Sequence, residues 1–187
     1  MKNVKNLISV MYTFLKFSVI KIVRWKTFKF KLIERFSPNT TINIWKDGQL
    51  SFGKMVRAHT GSNFSVVTNG DLNVGDFTSF GYGCILVCRQ KITIGEGCEF
   101  GPNVLIYDHD HDFKVEGGLK AKKFKTGDIE IGKNVWIGAN TVILRNTKIG
   151  DNSVIGAGSI INGEYPANSL VVQKRITSVV ELRGETK

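Results

Sequence analysis

The sequence predicts an all-β solenoid, in which short parallel strands stack into coils, with a basic helical arm before it and a short closing segment after it. A ladder of isoleucines recurs every six residues from Ile131 to Ile161 without a break in phase. A helix has 3.6 residues per turn and does not fit this spacing, and each interior glycine would cost it ~1 kcal/mol. Short segments separated by tight corners fit both the spacing and the glycines that follow four of the isoleucines: Gly132, Gly138, Gly150 and Gly156.

The net charge of +10 over 187 residues is unevenly distributed. Residues 1–36 hold nine Lys and Arg against one Glu. A basic protein can bind nucleic acid, a membrane surface or an anionic substrate. Concentration of the charge in one apolar arm favours the membrane surface, and no nucleic-acid motif or aromatic platform accompanies it. We therefore expect no nucleic-acid partner.

The three cysteines predict a reduced, intracellular protein. Cys84, Cys88 and Cys98 are odd in number, and no signal-peptide pattern precedes them. No second cysteine pair has zinc-site spacing, so buried thiols are expected rather than a metal site. The expected location is the cytoplasm, at the inner face of the membrane if the arm binds lipid.

The arm is predicted to cover residues 1–38 and to contain an amphipathic helix, because its first apolar residues follow helical spacing (Val4, Leu7, Ile8, Met11, Phe14 and Leu15). Lysines interrupt the apolar run before it reaches the ~20 residues that span a bilayer. Two interpretations stay open. The helix lies in the headgroup region of a membrane, or it packs on the solenoid or across a subunit interface and caps the open end of the column.

The solenoid is predicted over residues 39–168. The ladder begins imperfectly at Phe52, resumes after slips of phase, stops after Ile106 and restarts at Ile129. The hexads make about five coils, more than the three repeats that a stable stack needs. Residues 169–187 are predicted to close the stack with a strand near Leu170 and a short helix.

The insertion at residues 107–127 is where chemistry is expected. It contains His109 and His111 among three aspartates and five lysines, and long excursions from a regular fold are usually functional. Composition leaves three interpretations open, with the first favoured: a histidine general base, a metal site of alternating His and Asp, or a solvated polar loop.

Two segments, IGKNVWIGANTVI and IGDNSVIGAGSII, resemble the hexapeptide-repeat acyltransferases of the maltose, galactoside and capsular-polysaccharide O-acetyltransferase type. The resemblance covers roughly residues 50–168. It implies a left-handed parallel β-helix, a homotrimer with shared active sites, and acetyl-CoA as the acyl donor. In that family Pro-Asn/Gly-Val leads into Ile-Tyr-x-x-x-His, whose histidine is the base. Here Pro102 to Tyr107 leads by ungapped count to His111, with His109 and Asp110 as supporting residues.

The same resemblance implies cofactor contacts along the side of the solenoid, at Trp136, Gly138, Ala139, Ala157, Gly158, Asn162, Lys174 and Arg175. For the glycines, plain corner geometry is the competing interpretation. The family's Thr-Lys pair after IGAGS is replaced here by Asn162 and Gly163, and its closing Gly-x-Pro-Ala-Lys/Arg is also missing. Lys174 and Arg175 are therefore the candidates for contacting the CoA phosphates, and a solvated basic turn is the competing interpretation.

Cys88-Arg89 stands where neutral-sugar enzymes of the family carry carboxylates, which favours an acidic or phosphate-bearing acceptor. The competing interpretation is that these charges serve solubility alone. Tyr82, Cys88 and Arg89 are the expected acceptor contacts. The predicted function is O-acetylation of a sugar hydroxyl in capsule or lipopolysaccharide synthesis, by direct transfer from acetyl-CoA. The alternatives are N-acetylation of an amino sugar or nucleotide-sugar, and a non-catalytic binding solenoid. No metal is expected, since the histidine spacing differs from that of γ-class carbonic anhydrases.

Overall fold

The computed structural model describes residues 2–174, 176 and 178. Short parallel strands coil into a β-solenoid of about six turns, preceded by one helix, α1 (Lys2–Val23). The predicted solenoid and its N-terminal helix are thus confirmed. Leu170–Val171 forms the predicted closing strand, whereas the short helix predicted after it lies largely outside the described residues.

Each turn of the solenoid has three faces. The first face is built from β1 (Phe28–Phe30), β4 (Gln49–Phe52), β7 (Asp71–Val74), β10 (Lys91–Ile94) and β15 (Ile129–Ile131). The second is built from β2 (Arg35–Phe36), β5 (Arg57–Ala58), β8 (Ser79–Phe80), β11 (Glu99–Phe100), β16 (Trp136–Ile137), β18 (Val154–Ile155) and β20 (Leu170–Val171). The third is built from β3 (Thr41–Ile44), β6 (Asn63–Val66), β9 (Ile85–Cys88) and β12 (Leu105–Tyr107).

One long strand joins the third face to the first. β17 (Val142–Ile149) pairs with β12 through its first residues and with β15 through its last, and β19 (Ile160–Tyr165) lies beside it. The chain turns this corner at Arg145 and Asn146 without a loop. One coil earlier, the chain leaves the solenoid at the same corner to form the insertion, so the insertion replaces a corner and leaves the column intact.

The core is a column of inward-facing side chains in register from coil to coil. Isoleucines fill its C-terminal half, as the ladder predicts. Aromatic rings fill its N-terminal half, where Phe52, Phe64 and Phe80 are buried and pack edge to face. The hexads look imperfect in this half because phenylalanine and leucine take the place of isoleucine, while the inward spacing is kept.

Glycine and asparagine have different structural roles at the corners of the solenoid. Gly138 lies so close to the next coil that an added Cβ would come within 2.4 Å of the Ala157 nitrogen. Its role is close stacking, whereas asparagines adopt the left-handed backbone conformation at these corners, including Asn134 (φ 53°) and Asn152 (φ 58°). The Asn134 side-chain amide donates to Asn152 Oδ1 at 3.3 Å, so the corners also hydrogen-bond along the stack.

Parallel pairing begins at Phe28, ten residues before the predicted end of the arm. β1 pairs with β4 and β2 pairs with β5, because Phe28 and Phe36 fill the first positions of the column. α1 closes this end through Phe17, which is fully buried and contacts both rings. The helix therefore caps the column, as one of the two interpretations expected.

Candidate active site

The insertion is a β-hairpin rather than an irregular loop. β13 (His109–His111) pairs antiparallel with β14 (Phe124–Thr126), and a 3₁₀ turn, η1 (Gly118–Ala121), lies between them. The Gly127 N–H donates to the Asp108 carbonyl at 2.9 Å and closes the base of the hairpin. His111 lies opposite Phe124 in the register, so both histidines project from one short, paired strand.

Asp108 anchors the hairpin to the solenoid. Its carboxylate is fully buried and accepts hydrogen bonds from the Arg89 N–H at 2.9 Å and the Gln90 N–H at 2.7 Å. His109 Nδ1 lies 3.0 Å from Asp108 Oδ1. Burial alone would raise the pKa of this carboxyl, but the hydrogen bonds from His109, Gln90, Arg89 and the Cys88 thiol outweigh it and hold the pKa below its usual range.

This anchor sets the chemistry of His109. An ionised Asp108 can only accept hydrogen bonds, so the contact assigns the proton of the neutral imidazole to Nδ1 and leaves the lone pair on Nε2. The His109 side chain is 12% exposed, which leaves it accessible at its edge. An imidazole oriented by a carboxylate in this way is a suitable proton acceptor.

His109 and His111 share one face of the hairpin with an aromatic ring and a guanidinium group. The Phe124 ring centroid lies 5.6 Å from that of His109 and 4.6 Å from that of His111. The Arg89 guanidinium carbon lies 3.6 Å from the same ring centroid. The buried Arg89 Nε has no hydrogen-bond partner among the described residues. His111 is exposed. We call these four residues the histidine face.

Asp110 points away from the histidine face, since it alternates with the two histidines along the strand. Its carboxylate accepts a hydrogen bond from Arg145 Nε at 2.7 Å. The Asn162 side-chain amide donates to the Arg145 carbonyl at 3.2 Å. Of the predicted cofactor residues, Asn162 thus lies beside the hairpin.

The other predicted cofactor residues within the described part of the solenoid lie elsewhere. Trp136 is exposed on the second face, and the corner after that face carries Gly138, Ala139, Ala157 and Gly158. The hairpin emerges at the following corner, between the third and first faces. Lys174 is exposed, and Arg175 lies outside the described residues. We call Trp136 and the corner after it the predicted cofactor surface. Within one chain, this surface and the histidine face therefore occupy different corners.

The three predicted acceptor contacts differ in position. Cys88 cannot contact an acceptor, because its side chain is fully buried in the column and its thiol donates a hydrogen bond to the Asp108 carboxylate. Burial, reinforced by that carboxylate, raises the pKa of the Cys88 thiol and keeps it protonated. Tyr82 is exposed and packs on His59, with ring centroids 4.7 Å apart, on the corner that carries Ala139. Arg89 lies on the histidine face.

Sequence reasoning missed three residues of this site. Asp108 was grouped with the other aspartates, although its place directly before the hairpin was a signal for an anchor. Phe124 and Arg145 gave no sequence signal, because their contacts depend on the hairpin register and on the neighbouring coil. Among the described residues, no group of three or more His, Cys, Asp or Glu side chains could hold a metal ion.

Residues 128–163 match the family model described as bacterial transferase hexapeptide (six repeats). These residues include the isoleucine ladder and the corner with Gly138 and Ala157. The rest of the site, including the histidine face, lies outside the matched residues. The similarity to this family therefore covers part of the scaffold and the corner with Gly138 and Ala157.

Comparison with curated proteins finds nodulation protein L of Rhizobium meliloti (strain 1021), 34% identical over 70 residues that make up 36% of each chain. Nodulation protein L of Rhizobium leguminosarum bv. viciae is 33% identical over 70 residues, or 36% of this chain and 35% of that protein. The match spans about a third of the length of these relatives.

Comparison with solved structures finds a mutant of AntD, an N-acyltransferase from Bacillus cereus in complex with dTDP and coenzyme A. It has a TM-score of 0.67 and 19% identity, over 90% of this chain and 89% of that chain. A hexapeptide-repeat acetyltransferase from Vibrio cholerae has a TM-score of 0.51 and 23% identity, over 77% of this chain and 66% of that chain. These likenesses show that the fold is shared.

Proposed function

We propose that this chain is an acetyl-CoA-dependent acetyltransferase that acylates a hydroxyl group of a sugar. The observation that carries the proposal is the histidine face, which presents two imidazoles on a fixed strand at a break in a transferase-family solenoid. The shared fold with an N-acyltransferase in complex with coenzyme A supports an acyl-CoA donor. We propose that the acetylated sugar becomes part of a cell-surface polysaccharide, either capsule or lipopolysaccharide.

In the proposed reaction, His111 takes the proton of the acceptor hydroxyl while the oxygen attacks the thioester carbonyl of acetyl-CoA. The tetrahedral intermediate collapses, the bond from carbon to sulfur breaks, and the thiolate of CoA leaves and takes up the proton. Backbone N–H groups would stabilise the oxyanion. Direct transfer agrees with the cysteines, since all three are buried and burial raises the pKa of each thiol.

A specific observation favours a second assignment, in which His109 is the base. Asp108 orients His109, whereas no described side chain hydrogen-bonds to His111. We retain His111 because its exposure lets a substrate reach both ring nitrogens, and because the family motif selects it by register. His109 and Asp108 are then positioning residues that hold the strand.

The proposed assembly is a homotrimer with active sites between subunits. The supporting observation is that the histidine face and the predicted cofactor surface lie on different corners of one solenoid. A ring of three subunits can bring the hairpin corner of one chain to the cofactor corner of the next, which a single chain cannot do. The proposed location of the enzyme is the cytoplasm.

The proposed acceptor carries a carboxylate or a phosphate. Arg89 supports this choice, because its guanidinium group lies on the ring that both histidines contact and its Nε has no hydrogen-bond partner among the described residues. A guanidinium group can bind either anion with two parallel hydrogen bonds. The insertion that carries this face also contains five lysines.

Release of the CoA thiol tests the proposal. Purified protein and acetyl-CoA are mixed with neutral oligosaccharides, uronic-acid oligosaccharides, sugar phosphates or amino sugars. We expect release above background with an anionic hydroxyl acceptor, and a reduced rate in Arg89→Gln with that acceptor. Release with amino sugars alone would indicate N-acetylation. No release with any acceptor would favour a non-catalytic binding solenoid and contradict the proposal.

A further inference from the structure

The side of α1 that faces away from the solenoid is apolar from Leu7 to Ile22. Its large side chains are between 49% and 76% exposed, and they recur at intervals of three and four residues, which places them on one stripe of the helix. We call this stripe the outer face; it consists of Leu7, Ile8, Met11, Phe14, Leu15, Val19 and Ile22. The opposite side of the helix carries Thr13 and Phe17, which are buried against the end of the column.

Lys16 and Lys21 of α1 do not interrupt the outer face. Lys16 Nζ donates to the Thr40 carbonyl at 2.5 Å. Lys21 Nζ donates to the carbonyls of Trp25 and Phe28 at 2.6 and 2.7 Å. Both side chains are directed to backbone oxygens of the segments that follow the helix. The two charges that broke the apolar run in the sequence are thus withdrawn from the exposed stripe.

A neighbouring turn extends the apolar surface. Leu32 and Ile33, between β1 and β2, line one shallow cavity with Val10, Met11 and Phe14. Both are at least 60% exposed. Ile33 has a φ of 75°, a conformation that is unfavourable for a β-branched residue. The turn therefore holds an apolar side chain outward at the edge of the outer face.

Basic and aromatic side chains lie at the C-terminal end of the helix. Trp25 is 66% exposed, and Lys26 Nζ lies 4.9 Å from its ring centroid. Arg24 reaches the Lys46 carbonyl at 3.3 Å, and Lys29 is exposed on the next strand. Tryptophan and basic residues beside an apolar helix are typical of the boundary between lipid headgroups and acyl chains.

We propose that the outer face docks on an anionic lipid bilayer, with α1 lying in the plane of the headgroups. Charge decides against a second copy of this chain as the occupant, since two outer faces would bring two regions of nine basic residues and one acidic residue together. Lys26 and Lys29, which are exposed, attract phosphate headgroups. This inference does not depend on acyl transfer.

The packing of α1 also determines how it meets the membrane. Asn6–Val23 is long and apolar enough to cross a bilayer by length and composition. Crossing would expose Thr13 and withdraw Phe17 from the aromatic end of the column, where it contacts Phe28, Phe36 and Phe52. A helix that lies flat keeps these contacts and buries the outer face, which gives a contact about 33 Å long for 22 residues.

Co-sedimentation of the full chain with lipid vesicles tests this inference. Vesicles are made of phosphatidylcholine alone or with phosphatidylglycerol as the anionic lipid. We expect binding at least about tenfold stronger to the anionic vesicles, and weaker binding at high salt, because the basic residues add to apolar burial. Met11→Glu with Leu15→Glu should lower binding to the anionic vesicles by at least about tenfold, since each puts a charge into the acyl boundary.

The matched control places the same charges at the other end of the solenoid. Leu170 and Val172 are 71% and 62% exposed there, and L170E/V172E should bind vesicles like the unmodified chain. Thermal melting of both double variants checks that they fold. Two results would overturn the proposal: no binding to either vesicle, or equal loss in both double variants. If the chain binds neither vesicle and M11E/L15E also loses self-association, a second copy is the occupant.

Discussion

Two segments of this chain lie outside the repeating coils, and they are attached to the solenoid in opposite ways. The hairpin is anchored by hydrogen bonds that converge on the buried Asp108 carboxylate. α1 is anchored by the apolar side chain of Phe17, which packs on aromatic rings at the end of the column. The strand β13 of the hairpin exposes Asp110 and His111, whereas the helix exposes a stripe of apolar side chains.

The two kinds of anchor give the hairpin and the helix different properties. Hydrogen bonds are directional, so an anchor made of them fixes the orientation of the side chains that it holds. Apolar burial depends on area and has no preferred direction, so it holds a helix in place without orienting individual groups. Oriented imidazoles suit the transfer of a proton, and a broad apolar stripe suits a surface. The following predictions test this division.

The largest expected effect belongs to the hairpin. His111→Ala should reduce turnover by on the order of 10²–10⁴-fold, the range typical of a general base, whereas His109→Ala should do less. Steady-state thiol release with the best acceptor measures both. Equal losses would remove the distinction between base and positioning residue, and a larger loss in His109→Ala would transfer the role of base to His109.

Removing the apolar anchor should reduce stability most. Phe17→Ala leaves a cavity beside Phe28 and Phe36 and should lower the free energy of unfolding by about 3–5 kcal/mol. Phe14→Ala removes an equal ring from the exposed side of the same helix and serves as the control. Urea denaturation measures both variants. If the two changes destabilise the protein equally, Phe17 does not anchor the helix.

Removing the polar anchor should have a smaller effect on stability. Asp108→Asn places an amide against backbone N–H donors and should lower the free energy of unfolding by about 1–3 kcal/mol. Turnover should also fall, since His109 loses the charged carboxylate that orients it. Asp47→Asn, at an exposed corner, is the matched control. Normal stability and turnover in Asp108→Asn would show that the hairpin is held by its backbone pairing alone.

The smallest expected effect lies beneath α1. Burial raises the pKa of Glu34 to about 7, and its Oε1 has no hydrogen-bond partner among the described residues. Because the folded state binds this proton more tightly than the unfolded chain, stability should fall as pH rises from about 4.5 to 7 and then level off. The free energy of unfolding of Glu34→Gln, measured by urea denaturation, should change less with pH over this window than that of the unmodified chain. Parallel curves would contradict the assignment.

The solenoid was predictable from the sequence because one inward-facing aliphatic residue recurs at a fixed interval of six residues. Each isoleucine of the ladder packs in the same way in its own coil, and the break in the ladder located the insertion. The start of the solenoid was misplaced because phenylalanines fill its first coils and obscure the isoleucine pattern. The asparagine corners follow the same period, at Asn134, Asn140, Asn146 and Asn152, and could have been predicted from it.

The site was less predictable, because its contacts join residues far apart in the chain. The count to His111 came from a motif, but the contact of Arg89 with Phe124 depends on how the hairpin folds back. Cys88 was placed on the acceptor side because it precedes Arg89, although strand alternation turns its side chain into the column. Local spacing predicts which way a side chain points only after the strand register is known.

The most direct test of the account is a double variant of the hairpin, His109→Asn with His111→Asn. Acetyl-CoA affinity is measured by calorimetry and thiol release by steady-state assay on the same preparation. If the solenoid binds the cofactor and the break in it performs the chemistry, affinity should stay within about threefold while release falls by at least about 10²-fold. Release at the rate of the unmodified chain would contradict the account.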